Sequence, residues 1–168
     1  CAYSGAYVTG YGLNTPNTHG QVALRFDDYC ASGFTHFHHS GTGRIRVYYN
    51  YFRVTPLVGG LSGLGTRWAL EDQEARPGYY SAKLKDTGIK AELTVSPKAA
   101  FHRYIFPEPN DAKIVVDFSS GGLDFEGMGT IPTQAEVEVV SSNIAQGYIV
   151  MEDIPFYVYL EADFEADS

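Results

Sequence analysis

The chain is short of the features that mark several large function classes. Among its 168 residues are two cysteines, two methionines and one tryptophan. Two thiols cannot build a disulfide framework; a Cys1–Cys30 bridge is permitted in an oxidising compartment, and spacing does not establish it. Basic residues are scarce as well, with twelve Lys and Arg against twenty Asp and Glu and a formal charge of −8. That balance repels phosphate backbones and anionic headgroups, which excludes nucleic acid as a natural partner. No apolar run reaches the ~18 residues of a membrane span, and no charged segment precedes an apolar one as in a signal peptide. Apolar residues nowhere recur at i, i+3, i+4 and i+7 between capping residues, so little helix is expected. There is no Gly-x-Ser-x-Gly elbow, and Gly41-Thr42-Gly43 lacks the Lys-Ser/Thr end of a phosphate loop.

What the chain does have is apolar and aromatic residues in alternation. Hydrophobic residues make up 44% and aromatics 14%, with 18 Gly and 8 Pro, a composition for strands and turns rather than disorder. In Ile89–Val95 every odd position is apolar and every even one polar, and Phe156, Val158, Leu160, Ala162 and Phe164 alternate in the same way. A period of two puts one set on a buried face and the other on a wetter one. Further candidate strands are Gln21–Phe26, Arg44–Thr55, Thr66–Leu70, Gly78–Leu84, Ala100–Phe106, Lys113–Phe118, Ala135–Val140 and Asn143–Val150, separated by turn clusters such as Lys85-Asp86-Thr87-Gly88. About ten short strands with no helical crossovers predict an all-β protein, an antiparallel β-sandwich with little helix. Residues 1–168 read as one domain, since no linker or internal repeat interrupts them.

Candidate functional residues concentrate in two places. His36, His38 and His39 are followed by Ser-Gly-Thr-Gly, which includes Thr42. Alternation places His36 and His38 on one side of a strand, yet no Cys or carboxylate stands at ligand spacing. The block is read as an interface or glycan-contact element, and no metal site is assigned. Tyr48-Tyr49-Asn50-Tyr51-Phe52 would turn Tyr48 and Phe52 to one face and Tyr49 and Tyr51 to the other, where flat amphipathic rings suit a sugar or a neighbouring subunit. Inverting glycoside hydrolysis needs two carboxyl groups roughly 6.5–9.5 Å apart. Asp27-Asp28, Asp124 with Glu126, and Glu152-Asp153 sit beside turn residues, where acidic side chains usually solvate the chain. No catalytic pair is assigned.

Three blocks in order, Glu74–Ser81, Gly88–Thr94 and Phe101–Pro107, resemble the N-terminal β-sandwich domain of glycoside hydrolase family 92, the calcium-dependent exo-α-mannosidases. Gly33–Gly43 and Phe156–Phe164 extend the resemblance over about residues 33–164, while the first thirty residues match poorly. The resemblance implies a non-catalytic domain that helps shape a glycan site against a separate α/α-barrel. That barrel would carry the catalytic acid and base and most of the calcium site, so this chain alone is expected to be inactive and to hold no cofactor.

Expected partners are the barrel or copies of the chain itself, with a glycan at the interface. The alternative is a structural or adhesive subunit of an extracellular assembly. Secretion or display at the cell surface follows, in extracellular or periplasmic space, and a lipid anchor on Cys1 would suit a processed lipoprotein. A sandwich that leans on a second domain keeps an adhesive surface. The aromatic strand, through Tyr49 or Tyr51, is the expected contact, because Glu161 and Asp163 guard the last strand.

Overall fold

The computed structural model describes residues 2–3, 6–7, 29–36, 51–64, 66, 68–108, 110–119, 131–151 and 153–164. The expected strand Gln21–Phe26, most of Arg44–Thr55, and His38, His39, Thr42 and Tyr49 lie outside the described residues, as do Cys1, Asp27, Asp28, Asp124, Glu126 and Glu152. The fold is all-β. Its strands are β1 (Ala2–Tyr3), β2 (Ala6–Tyr7), β3 (Tyr29–Ala31), β4 (Phe34–Thr35), β5 (Arg53–Val58), β6 (Trp68–Arg76), β7 (Tyr79–Leu84), β8 (Lys90–Val95), β9 (Ala100–Ile105), β10 (Ala112–Asp117), β11 (Gln134–Ser141), β12 (Ile144–Met151) and β13 (Ile154–Glu161). A single 3-10 turn, Leu61–Gly63, is the helical element among the described residues.

The strands form sheets ordered β1-β3-β6-β7-β8-β9, β10-β5-β4-β2 and β11-β12-β13. All described pairings are antiparallel except the two short ones, β1 with β3 and β2 with β4. The first two sheets enclose the main core. Ala31, Trp68, Leu70, Tyr80, Ala82, Leu84, Ala91 and Leu93 face it from one side and Phe34 and Leu57 from the other, with Ile89 closing the turn before β8. The strict alternation of residues 89–95 is realised here: Ile89, Ala91 and Leu93 have no exposed surface, whereas Lys90 and Thr94 are exposed.

Three departures from simple alternation shape the domain. β6 runs through Glu71-Asp72-Gln73-Glu74, beyond the expected end at Leu70, because a bulge absorbs the acidic stretch. Between the pairs Glu71↔Lys83 and Glu74↔Ser81, Asp72 and Gln73 together oppose Ala82, and Asp72 takes a φ of 51°. The bulge also lets Gln73 accept a hydrogen bond from the Tyr80 hydroxyl at 2.8 Å. β5 continues through Pro56 to Val58; β4 meets it only at Phe34↔Val54, so the proline lies beside a one-sided stretch of ladder. Tyr51 and Phe52 do not alternate. With φ of 50° at Phe52, both turn inward and are 2% and 7% exposed. This corrects the expectation of an outward Tyr51: its ring belongs to a second core with Phe52, Ile149 and Met151, joined by Phe118, Phe156 and Val158, and it has almost no surface to lend to a contact.

The three-stranded sheet closes over that second core. Its inner face is brought close by Gly147, where an added Cβ would stand 2.3 Å from the Glu136 carbonyl oxygen and 2.9 Å from the Phe118 ring. Backbone cannot yield as a flexible side-chain tip does, so even one methyl overpacks the site. Gly147→Ala is therefore expected to lower unfolding stability by roughly 1–3 kcal/mol, read as a shift of the urea midpoint. An unchanged midpoint would show that the sheet sits farther from Phe118 than described.

Candidate functional site

The described part of the histidine block begins with a tight approach. Gly33 joins β3 to β4 with φ of 154°, and a Cβ there would come within 2.7 Å of both the Arg53 side chain and Thr55 Oγ1. Only glycine lets the β3–β4 corner lie against β5 so closely. Polar side chains fasten the corner: Thr55 Oγ1 donates to the Ser32 carbonyl at 3.0 Å, and Thr35 Oγ1 to the Tyr51 carbonyl at 2.6 Å. Arg53 donates to Ser32 Oγ and to Asp117 Oδ2, both at 3.1 Å, with its side chain and that of Asp117 each 17% exposed. A guanidinium so confined is held by its carboxylate, whose removal would leave a part-buried charge.

Anchored in this way, β4 projects Phe34 and His36 across to the edge strand β9. The Phe34 ring lies 6.1 Å from Tyr104, and His36 meets His102 edge-on at 4.6 Å between ring centres. His102 Nδ1 and the Tyr104 hydroxyl share a hydrogen bond of 2.7 Å. Burial, followed by the charge of His36, pushes the His102 imidazolium down to about 3, and burial raises the Tyr104 phenol. Both groups are therefore neutral across the ordinary pH range. The seam can orient hydrogen bonds, but a histidine this hard to protonate cannot act as a general acid.

The opposite face of the same sheet carries a second polar group. Glu92 accepts from Lys90 at 2.9 Å and from Tyr79 at 3.1 Å, and both Nε and Nη2 of Arg103 reach its other oxygen. Its carboxylate is pulled down to about 2, chiefly by Lys90 and against the cost of burial, with Arg103 and Tyr79 adding to the effect. Arg76 stacks over the Tyr79 ring at 4.6 Å. A carboxylate saturated by donors from three residues is a fixed anion and carries no proton to give a leaving group.

His36 is thus the one histidine of the expected block within the described residues, and its neighbour is another strand of the same chain. Tyr51 is in the core. Asp153, of the expected carboxylate pairs, is exposed at a turn with φ of 63°. His102 and Tyr104 are not among the candidate residues of the sequence, although a period of two along the expected strand Ala100–Phe106 puts them with Phe106 on one face. What sequence could not supply was the non-local pairing of that face with β4. Among the described residues no three His, Cys, Asp or Glu side chains cluster as metal ligands. Calcium prefers six to eight oxygens, and a seam of imidazole and phenol does not fit it, so no step is assigned to that ion here.

Residues 9–168 match the family model described as the glycosyl hydrolase family 92 N-terminal domain. A protein of Arthroderma benhamiae described as an uncharacterized secreted glycosidase is 34% identical over 88 residues, which is 47% of this chain and 11% of that protein. Two structures of a family 92 α-mannosidase from Bacteroides thetaiotaomicron, one in complex with mannoimidazole, share the fold at a TM-score of 0.53 and 21% identity. They cover 65% of this chain and 15–16% of theirs. The chain thus spans a small fraction of the length of these relatives.

The neutral His102 gives the site a measurable pH signature. Its folded value of about 3 lies below the ordinary 6.5, so the stability tied to its neutral form is complete above pH ~6.5 and declines as the unfolded chain takes up protons below it. Wild type should lose a few kcal/mol of unfolding stability in total as pH falls through the folded value. Between pH ~6.5 and ~4.5, before carboxylates titrate, His102→Gln should show a flatter profile by denaturant unfolding. Parallel profiles would show that His102 is protonated in the fold.

Proposed function

The chain belongs to the family of glycosyl hydrolase family 92 N-terminal domains, and from that premise we propose that it is the non-catalytic domain of a secreted or cell-surface α-mannosidase-like glycosidase. In this reading the β3–β4 corner, through His36, forms part of the wall of a glycan site, against a catalytic domain that supplies the acid and base. The observation that carries the reading is the construction of the corner. Gly33 and the Arg53–Asp117 pair fix where the chain leaves β4, and His36 is held against a neutral partner rather than a proton-transfer group. Such a device positions a ligand-contacting segment without taking part in the chemistry. Glu92, whose carboxylate is drawn down chiefly by Lys90, is already ionised and saturated. The description of the Arthroderma benhamiae relative as secreted supports export.

Two measurements test the proposal. The chain alone, incubated with 4-nitrophenyl α-mannoside, is expected to release no nitrophenol; turnover abolished by substituting one of its carboxylates would overturn the non-catalytic reading. In the longer protein carrying this domain, His36→Ala should raise KM for an α-mannoside roughly tenfold with a smaller change in kcat. A fall in kcat alone would instead assign His36 to the chemical step.

A further inference from the structure

The outer face of the three-stranded sheet has a chemistry that neither core nor seam uses. In register across β11, β12 and β13 stand Glu136↔Tyr148↔Tyr157, and beside them Glu138↔Gln146↔Tyr159. Because successive cross-strand rows two residues apart share a face, these six side chains form one surface. Tyr157 is 75% and Tyr159 59% exposed. Neither extent suits a residue serving only the fold of this chain, since a large aromatic ring gains most by burial.

The polar groups on this face are set in advance. Gln134 Nε2 donates to the Tyr148 hydroxyl at 2.6 Å, Tyr148 donates to Glu136 Oε2 at 2.9 Å, and Gln146 Nε2 donates to Glu138 Oε2 at 2.7 Å. The Tyr148 ring stands 5.8 Å from Tyr157 at a tilt of 45°. The hydrogen bond that Glu136 accepts holds the Tyr148 phenol above its ordinary value, so the hydroxyl keeps its proton and remains a donor. Each carboxylate thus has one oxygen engaged and retains acceptor capacity on the other. No Lys or Arg occurs in β11, β12 or β13.

We infer that this face is a binding platform for a neutral saccharide, distinct from the glycan wall proposed at the β3–β4 corner. A pyranose offers an apolar face of C–H groups that stacks on a tyrosine ring and a rim of hydroxyls that donate to carboxylate and amide oxygens, and the two rows supply both. Charge selects within the class. With carboxylates and no cation, the face rejects sulfated or uronic-acid glycans and phosphates. A basic protein surface is the competing occupant, but carboxylates already tied to Tyr148 and Gln146 offer less than free ones would to a lysine or arginine. The inference rests on the glycosidase reading only in its choice of α-mannan as first probe.

Affinity electrophoresis of the chain through gels containing soluble α-mannan, dextran or alginate tests it. Retardation is expected in at least one neutral glycan and not in the anionic alginate. Tyr157→Ala should weaken it roughly two- to tenfold, and Tyr157→Ala with Tyr159→Ala should abolish it. Phe101→Ala, on an exposed position of β9 in another sheet, should leave it unchanged. Strand content by circular dichroism checks that each variant is folded, as substitution of exposed side chains permits. Retardation in neither neutral glycan, or retardation that survives the double variant, overturns the inference. So does tyrosine-dependent binding of polylysine without glycan retardation, which would make the face a protein-docking surface. Because this readout is binding and the catalytic question is read by nitrophenol release, either proposal can fail while the other stands.

Discussion

The apolar layer between the six-stranded and four-stranded sheets is the constraint from which the rest of the domain follows. Ala82 and Ala91 of the six-stranded sheet are small where Phe34 and Leu57 of the four-stranded sheet are large, so side chains from the two sheets fill one another's space. Phe34 belongs to a strand of only two residues, which cannot be held by its own ladder. Its position is set by the core below it and by the hydrogen bonds of Ser32, Thr35, Arg53 and Thr55 around it. The histidine seam is therefore a consequence of core packing: burying Phe34 against Tyr104 carries His36, two residues on, up to His102. A cavity at Phe34 would loosen the corner that the functional reading depends on, although nothing in the corner itself had changed.

Much of this was legible in the amino-acid sequence, and for a single reason. Where one face of a strand is buried and the other wet, a period of two is written directly into the residues, as in Ile89–Val95. It is written more faintly in Phe156–Phe164, where Phe156, Val158 and Leu160 are half-buried between exposed Tyr157 and Tyr159. Pro77-Gly78 and Ser96–Ala99 punctuate the strands with the turn chemistry they require. The family resemblance rested on those same blocks, which is why it was readable without a structure.

The parts that escaped are those in which tertiary contact overrides local preference. Glu71-Asp72-Gln73-Glu74 has no strand-like alternation, yet it lies in β6 because a bulge rotates Gln73 toward the Tyr80 hydroxyl. Pro56 reads as a strand terminator, yet its side of the ladder has no β4 residue to pair with. Tyr51 reads as an outward aromatic, yet a left-handed backbone at Phe52 sends both rings inward. The pairing of His36 with His102 joins positions far apart in the chain. Pattern can place each on a face, but only the meeting of two sheets brings the faces together.

The two cores also explain how a buried seam and an exposed tyrosine face can coexist without conflict. Among the described residues, the three-stranded sheet is anchored through its inner face, by Ile149, Met151, Phe156 and Val158 on Tyr51, Phe52 and Phe118, with Gly147 permitting the approach. No outer-face side chain belongs to that core cluster among the described residues, and the alternation of β12 and β13 puts the two sets of side chains on opposite faces. Substitutions of Tyr157 or Tyr159 should therefore leave the inner packing alone, whereas a change at Gly147 reaches the outer face only by moving the whole sheet. The same separation accounts for the rings being displayed at all. In a strand whose other face is already buried, an exposed tyrosine adds little to folding, so its large apolar surface is available for a ligand to cover.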